Sequence, residues 1–227
     1  MSTTRFWFAV LSVFTFEIAQ ASPKGYLSGG IESNFIREEV RTWKSPDHLR
    51  KNYPYYLSGY DEEEKPIWVL ELGKWDVQRI ALNGNKTIPD FSNYVDKAIF
   101  NILQSLDLNS TEPTAVTKIE GIIDMDGFAY SQLASIPTVD LMVKTVSHLV
   151  PTMYKYVNHA YIINTNFYGM KILELLRPIL GPIMERVEIY GTDRSKWLPK
   201  MLKTLPRNQL PEWYGGERNY VPVKVYG

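Results

Sequence analysis

The stretch Val116–Asp124 (VTKIEGIID) decides the fold, because β-branched residues dominate it and a tight turn follows it. This composition suits the half-buried surface of a pleated sheet and predicts a strand. Beyond the turn, Pro137–Val157 places apolar residues at helical spacing, and Ala160–Thr165 (AYIINT) again has the composition of a strand. A strand, a long helix and a strand in this order form a βαβ unit, whose two strands run parallel.

The same alternation continues on both sides of this unit. It predicts, in chain order, a strand at Pro66–Leu72, a helix at Asn93–Leu106, a helix at Gly169–Leu176, a strand at Arg186–Tyr190 and a helix at Ser195–Leu205. We expect Pro151 to kink or split the long helix and Pro178 to stop the next one, because proline has no backbone N–H to donate. The pattern predicts an α/β layered fold with a mixed, largely parallel sheet.

Composition excludes several classes of function. The chain has 25 basic and 25 acidic side chains, and a protein without net positive charge is a poor ligand for nucleic acid. It has no cysteine, which rules out disulfides, thiol nucleophiles and cysteine zinc sites. The histidines His48, His148 and His159 lie far apart and have no acidic residue at metal-ligand spacing, so no metal site is predicted. Aromatic residues make up 13% of the chain, which fits either a large core or a wide apolar cavity.

The N-terminus has the pattern of a secretory leader. A basic start is followed by the uncharged stretch Phe6–Phe16 and by the small residues Ala19 and Ala21. We predict a signal peptide over residues 1–21, cleavage after Ala21 and a secreted protein; a buried or interfacial helix is the alternative. Residues 22–42 are predicted to form an N-terminal segment with a short helix.

One motif suggests an enzyme. Asp124-Met125-Asp126-Gly127 follows a hydrophobic strand and resembles the D-x-D-G signature of haloacid-dehalogenase-type phosphatases, in which the first carboxylate attacks phosphorus and the second is the general acid. Phe128 stands where that family has Thr or Val, and no later acidic pair follows a strand to hold Mg²⁺. We therefore predict that these carboxylates cap a strand-to-loop turn and that the chain has no catalytic residues.

Five short motifs in a fixed order resemble the CRAL-TRIO lipid-binding domain. They are Ser58-Gly59-Tyr60-Asp61 with Lys65-Pro66-Ile67-Trp68, Asp124-Met125-Asp126-Gly127-Phe128, Tyr161-Ile162-Ile163-Asn164, Leu176-Arg177-Pro178-Ile179-Leu180, and Leu210-Pro211-Glu212-Trp213-Tyr214-Gly215-Gly216-Glu217. The resemblance places a lipid-binding domain at residues 43–219 and leaves 220–227 as a C-terminal tail. Members of this family usually carry an all-helical domain before the lipid domain, and here only Ser22–Thr42 lies between the leader and that domain.

The resemblance implies a non-enzymatic, monomeric carrier. Its sheet would form the floor of a hydrophobic pocket, and Gly169–Leu180 would be a helical gate over the mouth. The implied ligand is a phospholipid or a tocopherol- or retinoid-like molecule, transferred between membranes with only transient contact to their surfaces. No cofactor besides the bound lipid and no obligate protein partner is expected. The usual compartment of the family, the cytoplasm, is the alternative to secretion. The alternative functions are a haloacid-dehalogenase-like phosphatase that uses Asp124 and Asp126, and an interaction module without transfer activity.

Apolar residues on these elements are the candidate ligand-binding residues of the pocket and the gate, with ordinary core packing as the alternative for each. They are Trp68, Leu70, Ile123, Met125, Phe128, Tyr130, Met142, Val146, Ile163, Phe167, Met170, Leu173, Leu176, Ile179 and Leu180.

The headgroup positions depart from the family pattern. Members that bind phosphatidylinositol have an acidic residue before the third strand and a basic residue at the start of the fourth. The matching positions here are Lys155 and Arg186. Arg186 is therefore the headgroup candidate, while the reversed charge at Lys155 makes a phosphoinositide a less expected ligand.

Overall fold

The computed structural model describes residues 38–226, and the predicted signal peptide lies outside them. Seven α-helices occur in this range: α1 Glu38–Thr42, α2 Asp47–Asn52, α3 Val77–Asn83, α4 Ile88–Leu103, α5 Ile136–Tyr156, α6 Phe167–Leu180 and α7 Arg194–Met201. The strands there are β1 Tyr55–Tyr60, β2 Pro66–Leu70, β3 Ile119–Asp124, β4 Val157–Ile163, β5 Val187–Ile189 and β6 Lys224–Tyr226. None of the helices in the described range is both long and apolar enough to cross a bilayer.

The strands form one six-stranded sheet in the order β5-β4-β3-β2-β1-β6. Neighbours from β2 to β5 are parallel, whereas β1 is antiparallel to both β2 and β6. The prediction of an α/β fold with a mixed, largely parallel sheet is confirmed. β1, α3 and β6 were not predicted, and β6 lies within residues 220–227, the predicted tail.

The two faces of the sheet are covered by different parts of the chain. From β2 to β5, each parallel strand lies beside the one that precedes it in the chain, always on the same side. Because connections between parallel strands are right-handed, the helices in these connections all lie on the same face of the sheet. We call this the crossover face. It carries Tyr55, Leu57, Trp68, Leu70, Gly121, Ile123, Ala160, Ile162, Val187 and Ile189. Asn101 in α4 donates to the Tyr55 hydroxyl at 2.8 Å, which fixes α4 on this side.

The opposite face, which we call the closing face, is covered by α7 and the segment after it. Trp197 and Met201 of α7 pack with Leu205, Leu210 and Tyr214. Together they bury the strand residues Tyr56, Ile67, Val69, Ile122, Tyr161 and Ile163. Every member of this cluster is at most 9% exposed, so the part of the closing face beneath α7 is a packed core.

Two prolines do not break their helices. The prediction that Pro178 stops a helix at Leu176 is wrong, since α6 runs from Phe167 to Leu180. Proline removes one intrahelical hydrogen bond, but Leu173, Leu176 and Leu180 are buried along one side of α6 and favour its continuation. Likewise, α5 contains Pro151 and is not split there.

Candidate functional site

The crossover face differs from the closing face in how well its apolar side chains are buried. Leu70 and Ile123 are only partly buried although they lie on inner strands, and Val187 and Ile189 of the edge strand β5 are partly buried as well. A layer packed to the density of an ordinary core would bury side chains of this kind. These partly buried strand residues make the crossover face the candidate for a ligand site.

The helices over this face carry a matching set of half-exposed apolar side chains. In α5 they are Met142, Val143, Val146, Leu149, Val150 and Met153, and in α6 they are Met170, Leu175 and Ile179. α5 packs against both α3 and α6. We define the candidate site as the space between the crossover face and the pair α5 and α6.

Six of the predicted pocket and gate residues are partly buried on the strands and helices that bound this site. They are Leu70, Ile123, Met142, Val146, Met170 and Ile179. Leu173, Leu176 and Leu180 lie buried on α6. The prediction had omitted Val187 and Ile189, which the alternation of apolar and polar residues in β5 could have identified.

Trp68 lies on the crossover face but packs within an aromatic cluster. Its indole N–H donates to Ser105 Oγ at 3.1 Å, and its ring lies 6.1 Å from that of Tyr55 and 5.7 Å from that of Tyr226. Trp68 is only 1% exposed. Its contacts are those of a core residue that joins β1, β2 and β6.

Ile163 does not join the other candidates. It is fully buried in the cluster on the closing face, because residues in β4 alternate between faces and Ile162 takes the crossover side. Met125 and Phe128 are also buried, in the loop after β3. A Cβ on Gly169 would lie 3.3 Å from Met125 Cε, so Met125 packs against the first turn of α6.

Two further candidates, Tyr130 and Phe167, are on the surface. Tyr130 is 56% exposed and Phe167 68% exposed. The ring of Tyr168 lies 5.6 Å from Tyr130 and 5.5 Å from Phe167, and Lys171 Nζ lies 5.6 Å above the Phe167 ring. We call Tyr130, Phe167 and Tyr168 the aromatic patch. It joins the loop after β3 to the start of α6.

Arg186, the headgroup candidate, is engaged with the backbone. Its Nη1 donates to the carbonyl oxygens of Tyr154 at 2.9 Å and Val157 at 3.0 Å, and its guanidinium lies 5.1 Å from the centre of the Tyr154 ring. These contacts satisfy carbonyl groups around the end of α5. Lys155, at the position of the missing acid, is exposed.

The two aspartates of the phosphatase-like motif have different environments. Asp124 is buried, and its Oδ1 accepts hydrogen bonds from the Asp126 N–H and from Asn164 Nδ2, both at 2.9 Å. Its Oδ2 accepts from the Tyr214 hydroxyl at 2.7 Å. Burial and the adjacent Asp124 raise the pKa of Tyr214, which keeps this hydroxyl protonated as a donor. Asp126 is exposed.

A second buried carboxyl, Glu120, also lies on the closing face. Burial raises its pKa to about 7, although a hydrogen bond of 2.7 Å from Asn158 Nδ2 opposes the shift. Within residues 38–226, no group of three or more His, Asp or Glu side chains is arranged to hold a metal ion. The side chains that define the candidate site are all apolar.

Comparisons with known proteins agree with this architecture. A model of the CRAL/TRIO domain family matches residues 50–216. The chain is similar to the SEC14 cytosolic factor of Eremothecium gossypii, with 24% identity over 180 residues that cover 74% of this chain and 54% of the relative. It is also similar to the crystal structure of Sfh5, with a TM-score of 0.59 and 15% identity, over 83% of this chain and 62% of that one. The chain spans about half the length of the curated relative.

Proposed function

This chain belongs to the CRAL/TRIO domain family, whose members bind and transfer lipids, and on that premise we propose that it carries one hydrophobic ligand. The ligand lies between the crossover face and the helices α5 and α6. The observation that carries this proposal is the contrast between the two faces of the sheet. The closing face beneath α7 is a packed core, whereas partly buried apolar side chains occur on both the strands and the helices of the layer under α5 and α6.

Apolar burial supplies enough free energy for such a ligand. Transfer of apolar surface from water contributes about 25 cal/mol per Å², so a lipid tail that buries several hundred Å² gains on the order of 10 kcal/mol before the costs of association. No covalent chemistry is needed to extract a lipid on this scale. The chain therefore acts as a carrier rather than an enzyme.

The aromatic patch supports a transient contact with membranes. Phe167 and Tyr168 at the start of α6 and Tyr130 in the loop after β3 are exposed, and tyrosine, which joins an apolar ring to a hydroxyl, favours the interface between lipid and water. The ammonium of Lys171 lies beside Phe167 and is paired with Glu174 at 2.7 Å. On this proposal α6 is the gate, and its first turn touches the bilayer while the ligand enters or leaves.

The ligand proposed here is a neutral hydrophobe or a phospholipid without a phosphoinositide headgroup. Arg186 is tied to two carbonyl oxygens, and Lys155 has the wrong charge to complete the headgroup pattern. A tocopherol- or retinoid-like molecule suits a site lined by apolar side chains.

Replacement of Ile123 by tryptophan tests the location of the site. The side chain of Ile123 points from the crossover face into the half-exposed layer, so a larger ring there should occupy the ligand's space. The assay follows by fluorescence the uptake of α-tocopherol and of pyrene-labelled phosphatidylcholine from vesicles. For whichever probe the wild type binds, we expect the affinity of the variant to fall about tenfold or more, which corresponds to about 1.4 kcal/mol of binding free energy.

The matched control is Leu82→Trp, the same kind of enlargement at a residue of α3 that is 64% exposed. It should take up the probes like the wild type. Equal uptake by Ile123→Trp and Leu82→Trp would contradict the proposed position of the ligand. A wild type that takes up neither probe would favour an interaction module over a carrier.

A further inference from the structure

A second cleft, of about 360 Å³, lies away from the candidate lipid site. Its lining includes Tyr56, Glu71, Trp213, Glu217 and Tyr220. Tyr56 pairs with Val225 of β6, another lining residue, and both point to the closing face. The sheet itself therefore separates this cleft from the layer beneath α5 and α6.

The Tyr56 hydroxyl is a buried polar group without a hydrogen-bond partner among the described residues. Tyr56 is only 9% exposed. The Trp213 side chain lies close enough to interact with this hydroxyl, but the pair does not reach hydrogen-bond geometry. A buried hydroxyl left in this state costs free energy, and a ligand in the cleft that bonded to it would recover that cost.

Acidic side chains outnumber basic ones around the cleft. Glu71, Glu212 and Glu217 line it together with one base, Arg218, which pairs with Glu212 at 3.4 Å. Lys74, which does not line the cleft, forms an ion pair with Glu71, with 2.5 Å between Nζ and Oε2. Glu217 has no ion pair among residues 38–226, and its charge is left for a ligand.

Aromatic rings complete the lining. Trp213 is 58% exposed, whereas the hydroxyl of Tyr220 is already bonded to Ser58 Oγ at 2.7 Å, so Tyr220 offers the cleft its ring more than its polar end. Tryptophan and tyrosine rings attract cations over their faces. Carboxylates and aromatic rings in one cleft favour a positively charged ligand with an apolar body.

We propose that this cleft binds a small organic cation, a protonated amine on an apolar frame. The ammonium group donates to the Tyr56 hydroxyl oxygen and is attracted by the carboxylate of Glu217, unpaired within residues 38–226, while the apolar frame packs on Trp213. This site is independent of the lipid carrier function, because the two ligands occupy opposite faces of the sheet.

The test is an NMR titration of the folded protein with phenethylammonium chloride, with phenethyl alcohol as a neutral probe of similar shape. We expect amide shifts confined to the lining residues and a dissociation constant on the order of 1 mM for the amine, with weakening at high salt. The alcohol should bind at least about fivefold more weakly. Equal binding of both probes, or no shift with the amine up to about 20 mM, overturns the proposal.

The variant Tyr56→Phe removes only the unpartnered hydroxyl. It should weaken amine binding about fivefold while leaving the melting temperature unchanged or higher, because no hydrogen bond within the chain is lost. Glu217→Gln should weaken amine binding and reduce its salt dependence, whereas Glu174→Gln on the surface of α6 should change neither. Amine binding that is unchanged in Tyr56→Phe refutes the assigned contact.

Discussion

Replacing Gly216 with alanine should destabilise the chain by about 3 kcal/mol or more, one of the largest effects expected of any single substitution. A Cβ at this position would lie 1.7 Å from the carbonyl oxygen of Leu210 and 2.8 Å from that of Arg207. Both contacts are with backbone, so no side chain can move to relieve them. The neighbouring Gly215 adopts a φ of 82°. Together the two glycines turn back the segment that follows α7, residues 202–217, which we call the closing segment.

The consequence of this clash should reach the core of the closing face. Leu210 and Tyr214, which both precede the glycine pair, are 0% and 1% exposed and pack in the core of the closing face. Urea unfolding of Gly216→Ala should show the lower free energy of unfolding. Thermal unfolding should show a melting temperature lower by about 10 °C. The control is Gly191→Ala, whose Cβ would meet only the Thr165 carbonyl oxygen at 3.8 Å. A Gly216→Ala variant as stable as the wild type would contradict the close approach of Gly216 to the Leu210 carbonyl oxygen.

Asp124→Asn should lower the free energy of unfolding by about 3 kcal/mol. The carboxylate accepts three hydrogen bonds, and an amide can accept at only one of its two terminal atoms, so at least one donor would face an NH₂ group. The contact with Tyr214 joins the end of β3 to the closing segment across 90 positions of sequence. Urea denaturation of the variant measures the cost.

The exposed Asp126 provides the matched control. Asp126→Asn should unfold like the wild type, because its side chain lies in solvent. Phosphatase assays with Mg²⁺ on the same proteins separate structure from catalysis. An activity present in the wild type and absent in a stable Asp124→Asn variant would make Asp124 a nucleophile and contradict its structural role.

The parallel core of the sheet was predictable from sequence because its elements have strong periodic patterns. Val116–Asp124 and Ala160–Thr165 became β3 and β4, with ends shifted by up to three residues. β1 (YYLSGY) was missed because Ser58 and Gly59 interrupt its apolar pattern and a bulge occurs between Leu57 and Gly59. β6 has only three residues and is defined by its pairing with β1, a contact between distant parts of the chain.

The candidate site could be predicted only in outline. Helical spacing identified Met142 and Val146 on α5, but a short apolar run such as that of β4 has no polar side to orient it. Ile163 was therefore assigned to the pocket although it faces the closing side. The backbone contacts of Arg186 likewise depend on how α5 ends beside β5, which no local pattern shows.

Native mass spectrometry of the protein purified from a eukaryotic host tests the central claim, that one hydrophobic ligand occupies the site beneath α5 and α6. The account predicts a folded species heavier than the polypeptide by the mass of a single lipid, which is released on denaturation in organic solvent. It also predicts that Ile123→Trp loses this extra mass while Leu82→Trp keeps it. A folded wild type with the mass of the bare polypeptide, or an Ile123→Trp variant that retains the lipid, would contradict it.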